Sequence, residues 1–343
     1  MGVVGLSLWW SLAVVVVVVA FVARRASAAG KLPTARDVVR RFGGEGKHLK
    51  GKTALVTGGN AGIGLETVKA LASAGCRVIL CSRNIDAANA AIAKEIKQEG
   101  LGGYRVEDTS NIIVKRLDLE DLDSVRSLAE DVLATEKSLD LLINNAGIMS
   151  LPTLERTKAG WEKQMGVNHF AHALLTNRLI PLLAKSPSAR VVALASTAHR
   201  FATKKVLSDP CYAKGTKYVP WGAYGDSKLA NLLWAKGLAR DLEQKGLSRV
   251  NVVSVHPGVI RTALWNQSPL NRFFSLFVGD RDIPQGAAST VWAAVCPRVS
   301  EPEMRGAYIS DCAPARPNEL GTDPELVDRV WRVTEEEIQR VGR

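Results

Sequence analysis

Cysteine is sparse in this chain: Cys76, Cys81, Cys211, Cys296 and Cys312 are the five in 343 residues, and no two have Cys-x-x-Cys spacing. An odd count without paired spacing argues against a disulfide framework and against cysteine zinc sites, so no metal is expected. Cys76 and Cys81 flank the apolar stretch Val78 to Leu80, as small buried residues in a reducing compartment do. Aromatic residues make up only 6% of the chain, and no arginine-rich run interleaves with them. That pattern argues against nucleic acid, even though 45 Lys and Arg against 34 Asp and Glu give a formal charge of +11. The excess suits anionic lipid surfaces or a phosphate-bearing cofactor instead. No repeat and no Pro/Gly/Ser-rich linker interrupts residues 51 to 313, so one large α/β domain with appendages is expected.

Charge is absent from Val3 to Ala23, a run that holds Trp9, Trp10 and the valines Val14 to Val19. As a helix rising ~1.5 Å per residue it would span roughly 30 Å, the thickness of a bilayer's hydrocarbon core. No basic residue precedes it, and it exceeds the ~7 to 15 apolar residues of a secretory signal, which weakens Ala26-Ser27-Ala28 as a cleavage site. A transit peptide fits less well, since such peptides are rich in arginine and serine. Residues 1–23 are therefore expected to be an N-terminal transmembrane helix. Arg24, Arg25, Lys31, Arg36, Arg40 and Arg41 follow it and would keep the next domain cytosolic. The expected plan is this anchor, a basic juxtamembrane linker at 24–50, a catalytic domain at 51–315, and an extension at 316–343 with a helix from Pro324 to Val341.

Three strings then follow in order: Thr57-Gly58-Gly59-Asn60-Ala61-Gly62-Ile63-Gly64, Asn144-Asn145-Ala146-Gly147 and Tyr224-Gly225-Asp226-Ser227-Lys228. The first sits between the β-rich run Thr53 to Thr57 and the helical pattern Ile63 to Ala74, the context a phosphate-cradling loop requires. Gly58 permits a tight turn, Gly62 lets backbone amides approach a pyrophosphate, and Gly64 allows helix and strand to pack closely. The next strand, Arg77 to Cys81, carries no acid at Cys81, Ser82 or Arg83 to bind ribose hydroxyls. Arg83 suits a 2′-phosphate instead, which favours NADP(H) over NAD(H). In the third string, a phenol with an ordinary pKa of ~10 needs help to exchange protons near neutrality. On one helix, Lys228 would share a face with Tyr224 and its ammonium would favour the phenolate.

These motifs resemble the short-chain dehydrogenase/reductase family, from about Gly51 to about Ala313. The Gly-x-x-x-Gly-x-Gly spacing and the run Ser227-Lys228-Leu229-Ala230-Asn231 carry the likeness. The resemblance implies a Rossmann-type doubly wound parallel sheet in a single catalytic domain. It implies cofactor contacts at Thr57, Gly58, Asn60, Gly62, Ile63 and Gly64, then at Arg83, Asp118, Leu119, Asn145, Ala146 and Gly147. Tyr224, Lys228, Pro257, Gly258 and Thr262 complete that set. The implied catalytic residues are Asn168, Ser196, Tyr224 and Lys228, with Ser196 bonding the substrate oxygen and Asn168 holding a water of the proton relay. Asp118 would also serve as a helix N-cap before Leu119 to Leu133. His169, His172 and His199 are expected to be packing or surface residues.

The strings Asn168-His169-Phe170-Ala171-His172 and Ser196-Thr197-Ala198-His199, with the long insert Thr197 to Ala223, resemble the retinol dehydrogenase-like branch. That branch implies a lipophilic retinoid-, lipid-aldehyde- or steroid-like alcohol and its aldehyde or ketone, with Tyr224 as general acid/base. The apolar stretch from Ala263 to Val278 corresponds to the substrate lid. The expectation is an NADP(H)-dependent oxidoreductase, single-pass in the endoplasmic reticulum or a related endomembrane, with the catalytic domain facing the cytosol. A homodimer is left open. The alternative is a catalytically silent nucleotide-binding sensor or scaffold, which would have no chemical need for all four catalytic residues.

Overall fold

The computed structural model describes residues 32–43, 48–96, 109–203, 209, 212, 215, 217–260 and 281–342. The expected anchor at 1–23, Cys211, Thr262 and the apolar stretch 263–278 lie outside them. Among the described residues no helix is long and apolar enough to cross a membrane.

Short segments apolar on both faces, such as Ala54-Leu55-Val56, need cover on both sides, and helices between the strands supply it. In chain order the elements are α1 (Ala35–Arg41), β1 (Thr53–Thr57), α2 (Gly62–Ser73), β2 (Arg77–Ser82) and α3 (Ile85–Ala91). Then come β3 (Ile112–Arg116), α4 (Leu122–Thr135), β4 (Leu141–Asn144), and a π-helical turn at Gly166–Phe170 that leads into α5 (Ala171–Leu183). β5 (Ala189–Leu194), α6 (Pro220–Gln244), β6 (Val250–His256), α7 (Ile283–Val295), β7 (Tyr308–Ser310), β8 (Ala313–Ala315) and α8 (Pro324–Gly342) complete the chain.

The eight strands lie in the order β3-β2-β1-β4-β5-β6-β7-β8, all parallel except β8, which runs antiparallel to β7. Alternate residues feed two cores. Leu55, Ile79, Leu142 and Val191 pack with α4, α5, α6 and α8 on one face. Val56, Leu80, Ile143 and Val192 pack with α1, α2 and α7 on the other. This is the expected doubly wound sheet. Strand order reverses between β1 and β4, so the loops at their carboxyl ends part and leave a crevice. The C-terminal helix, expected over 324–341, is α8, which turns Leu326, Val327, Val330, Thr334 and Ile338 inward.

One boundary departs from expectation. α4 begins at Leu122, not Leu119, because Asp121 is its N-cap and accepts the Asp123 N–H. Asp118 instead accepts the N–H of Glu120 at 3.0 Å, which frees it from the helix and places it at the crevice.

Candidate active site

The crevice is a cleft of about 370 Å³ running from the end of β1 to the side of α6. At its start Gly58 has φ +66°, a left-handed turn that a side chain resists, and a Cβ there would lie 3.1 Å from Ala146 Cα. α2 then begins with Ala61 as N-cap and no side chain capping its first turn. Asn60, Gly62, Ile63 and Gly64 line the cleft here, so the leading N–H groups of α2 face a place where an anion can take them up. The residues fit a dinucleotide phosphate.

Thr57 does not face the cleft. It is fully buried, and its hydroxyl accepts the N–H groups of Asn145 and Ala146 at 2.9 and 3.0 Å, with His172 Nε2 also at 2.9 Å. It ties β1 to the turn after β4, so any cofactor role for it is indirect. Asn145 adds to the tie by donating from Nδ2 to Thr57 O at 2.8 Å. Asn144 is buried beneath and donates to Thr176 Oγ1.

Arg83, Asp118, Leu119 and Glu120 border the cleft beyond β2 and β3, and Asn145, Ala146 and Gly147 border it beyond β4. The Arg83 guanidinium pairs with Glu120 at 3.2 Å while remaining two-thirds exposed. Pro257 lines the far end; Gly258, with φ +97°, lies against Arg281 and outside the lining.

Two local features bring the catalytic candidates together. Gly225 has no side chain, and a Cβ there would lie 2.6 Å from Ala198 O, so the short turn Thr197–Phe201 beds directly on α6. Asp226 accepts the Thr203 N–H at 2.7 Å and its hydroxyl at 2.9 Å, which pins the far side of that turn. Ser196, the N-cap of the turn, is thereby brought beside Tyr224, close enough for its hydroxyl to favour the phenolate. Lys228 Nζ lies 5.6 Å from the centre of the Tyr224 ring and donates to Leu194 O at 2.9 Å.

The electrostatics differ from the sequence expectation. Burial pushes the Tyr224 phenol up to about 12, opposed only by the Ser196 hydroxyl, and burial draws Lys228 down to about 8.

Asn168 stands in the π-helical turn. Its Oδ1 accepts the Ile148 N–H at 2.8 Å, and its Nδ2 donates to Ile148 O and Ser227 Oγ, both at 2.9 Å. The side chain therefore fixes the turn to α6 and to the segment after β4. His169, His172 and His199 are buried, and the described residues contain no group of His, Cys, Asp and Glu able to hold a metal.

An apolar cluster around Tyr224 was not legible as a site in the sequence. Met149, Ala198, Phe201, Trp221 and Val259 pack there, with the Trp221 ring edge-on to Tyr224 at 6.1 Å. These residues come from four separate segments, and their only sequence signal is that each follows a strand end or stands at the start of α6.

The model of the short chain dehydrogenase family matches residues 52–272. The chain is 38% identical over 292 residues to "Retinol dehydrogenase 11" of Mus musculus, covering 84% of this chain and 86% of the relative. It is 36% identical over 311 residues to "Short-chain dehydrogenase TIC 32 A, chloroplastic" of Brassica napus, covering 88% and 92%. Among solved structures, "Pseudomonas aeruginosa RhlG/NADP active-site complex" is similar at TM-score 0.57 and 27% identity, over 76% of this chain and 94% of that one.

Proposed function

The chain belongs to the short-chain dehydrogenase family of oxidoreductases, in its retinol dehydrogenase-like branch, and from that premise we propose an NADP(H)-dependent enzyme that interconverts a lipophilic alcohol and its aldehyde or ketone. One observation carries the proposal. The cleft that starts at the uncapped end of α2 finishes at Tyr224 and Lys228, and Tyr224 belongs to an apolar cluster.

When bound, the nicotinamide supplies or receives the hydride. The rest falls to side chains of this chain. Tyr224 holds its proton at neutral pH, since burial disfavours the phenolate, and that suits a general acid delivering a proton to a carbonyl oxygen. Ser196 Oγ bonds the same oxygen and fixes its direction. Lys228, near neutrality in its own titration, can return a proton to the phenol side of the cleft. Reduction is the favoured direction wherever the NADP(H) pool is kept reduced. Met149, Phe201, Trp221 and Val259 exclude water from the reacting centre and favour an apolar substrate.

NADP(H) preference rests on Arg83 at the cleft edge beyond β2, where it pairs with Glu120, and on the lack of an acid at Cys81, Ser82 or Arg83 itself. A solved relative's title names an NADP complex. Arg83→Ala is expected to cut the NADPH-over-NADH ratio of kcat/KM by about tenfold to a hundredfold, the worth of a charge-assisted hydrogen bond. An unchanged ratio would remove Arg83 from the cofactor site.

The functional assay is NADPH and NADH oxidation by the detergent-solubilised full chain with retinal, aliphatic aldehydes and ketosteroids. Turnover with at least one lipophilic carbonyl is expected. Tight NADPH binding without turnover would favour the sensor or scaffold reading. The same proposal places residues 1–23 as an anchor in the endoplasmic reticulum or a related endomembrane. Protease added outside sealed microsomes should then digest the catalytic domain; full protection would refute the cytosolic orientation.

A further inference from the structure

The catalytic turn is gripped from outside the region matched by the family model. Thr334 of α8 lies with its Oγ1 2.8 Å from His169 Nε2, and His169 Nδ1 lies 3.0 Å from Asn231 Oδ1. Asn231 Nδ2 then reaches two carbonyls, Asn168 O at 3.0 Å and Leu194 O at 2.9 Å. Leu194 O is also the acceptor of the Lys228 ammonium. All the side chains in this series are at least nine-tenths buried, so none exchanges its partner for water.

The polarity of the series follows from counting protons. Two carbonyls can be served only by an NH2 group, so the other Asn231 atom is an oxygen and can only accept. His169 Nδ1 must therefore carry a proton. The imidazole is neutral, because burial draws His169 down to about 4, so Nε2 is an acceptor and can share the Thr334 hydroxyl proton at 2.8 Å. That hydroxyl has one rival acceptor, Val330 O at 2.7 Å. On the other side of the same turn His172 Nδ1 lies 3.2 Å from Asn168 O, with Nε2 against the Thr57 hydroxyl. The Asn168 carbonyl is thus held from the cofactor loop and from the C-terminal helix together.

We propose that Thr334, His169 and Asn231 form a one-directional hydrogen-bond relay through which α8 positions the Asn168 and Leu194 carbonyls, and with them Lys228. These are positioning residues, and their effect on turnover rests on the activity proposed above. A serial relay has a property that independent packing contacts lack. Once its middle member is lost, the outer member no longer matters.

The test is a double-mutant cycle on the full chain, with 15N NMR of histidine-labelled protein beside it. Thr334→Val is expected to lower kcat about fivefold to tenfold with KM for NADPH unchanged, as loss of one buried network bond would. Thr334→Ser, which keeps the hydroxyl, should retain wild-type kcat. His169→Phe should lower kcat further, and adding Thr334→Val to it should change nothing. Additive losses, or a serine variant no better than valine, would overturn the relay. In the NMR spectrum, His169 should carry its proton on Nδ1 at pH 7, with the Nε2 resonance moving in Thr334→Val. A proton on Nε2 would overturn it without reference to turnover. If the wild-type chain reduces none of the carbonyls, the activity reading fails, and the tautomer still decides the relay.

Discussion

Tyr224→Phe should leave the fold and NADPH binding intact and lower kcat for carbonyl reduction by about 10²- to 10⁴-fold, the contribution of a positioned general acid. The ring is 6% exposed and packs on Met149, Ala198 and Trp221, contacts that phenylalanine keeps. Only the oxygen is lost, and with it the approach of the Ser196 hydroxyl to it. Melting temperature and NADPH affinity therefore serve as internal controls. A variant that retains turnover would mean that the proton comes from elsewhere, with Ser196 or solvent the next candidates. A variant that loses cofactor affinity equally would mean that Tyr224 acts in binding.

Gly64→Val should abolish measurable NADPH binding, and Gly64→Ala should weaken it at least tenfold while destabilising the fold by about 1 to 3 kcal/mol, the usual cost of overpacking. A Cβ on Gly64 would stand 2.2 Å from Gly58 O and 2.5 Å from Asn145 Nδ2. The first is backbone and cannot swing aside. The second is the clamp that ties Asn145 to Thr57 O, so relieving the clash disturbs both the glycine turn and the turn after β4. Titration of cofactor fluorescence alongside thermal melting checks this. Wild-type affinity in Gly64→Ala would show that the close approach of α2 to the loop is not needed for the cofactor.

The parts of the site legible in the sequence are those whose geometry is local. The glycine loop between β1 and α2 follows from strand, turn and helix periodicity within about twenty residues. Tyr224 and Lys228 share a face because one helix contains both. Thr57 could not be judged that way: its partners Asn145 and His172 come from the turn after β4 and from α5. The phenol's upward shift was equally out of reach, since desolvation comes from residues at 149, 198 and 221. His169, expected as packing, is buried as such but also joins Asn231 and Thr334, partners 62 and 165 positions away. A single sequence carries no signal for pairings of that separation.

We propose that Tyr224, Ser196 and Lys228 serve hydride transfer between NADP(H) and a lipophilic carbonyl. The most direct test supplies NADPH deuterated at C4, in each configuration separately, with a lipophilic aldehyde, and measures the mass of the alcohol. One deuterium is expected on the carbinol carbon from one of the two configurations, with labelled alcohol forming at least about a hundredfold more slowly in Tyr224→Phe. Alcohol free of deuterium from both, or NADPH bound and unchanged with no alcohol formed, would contradict it.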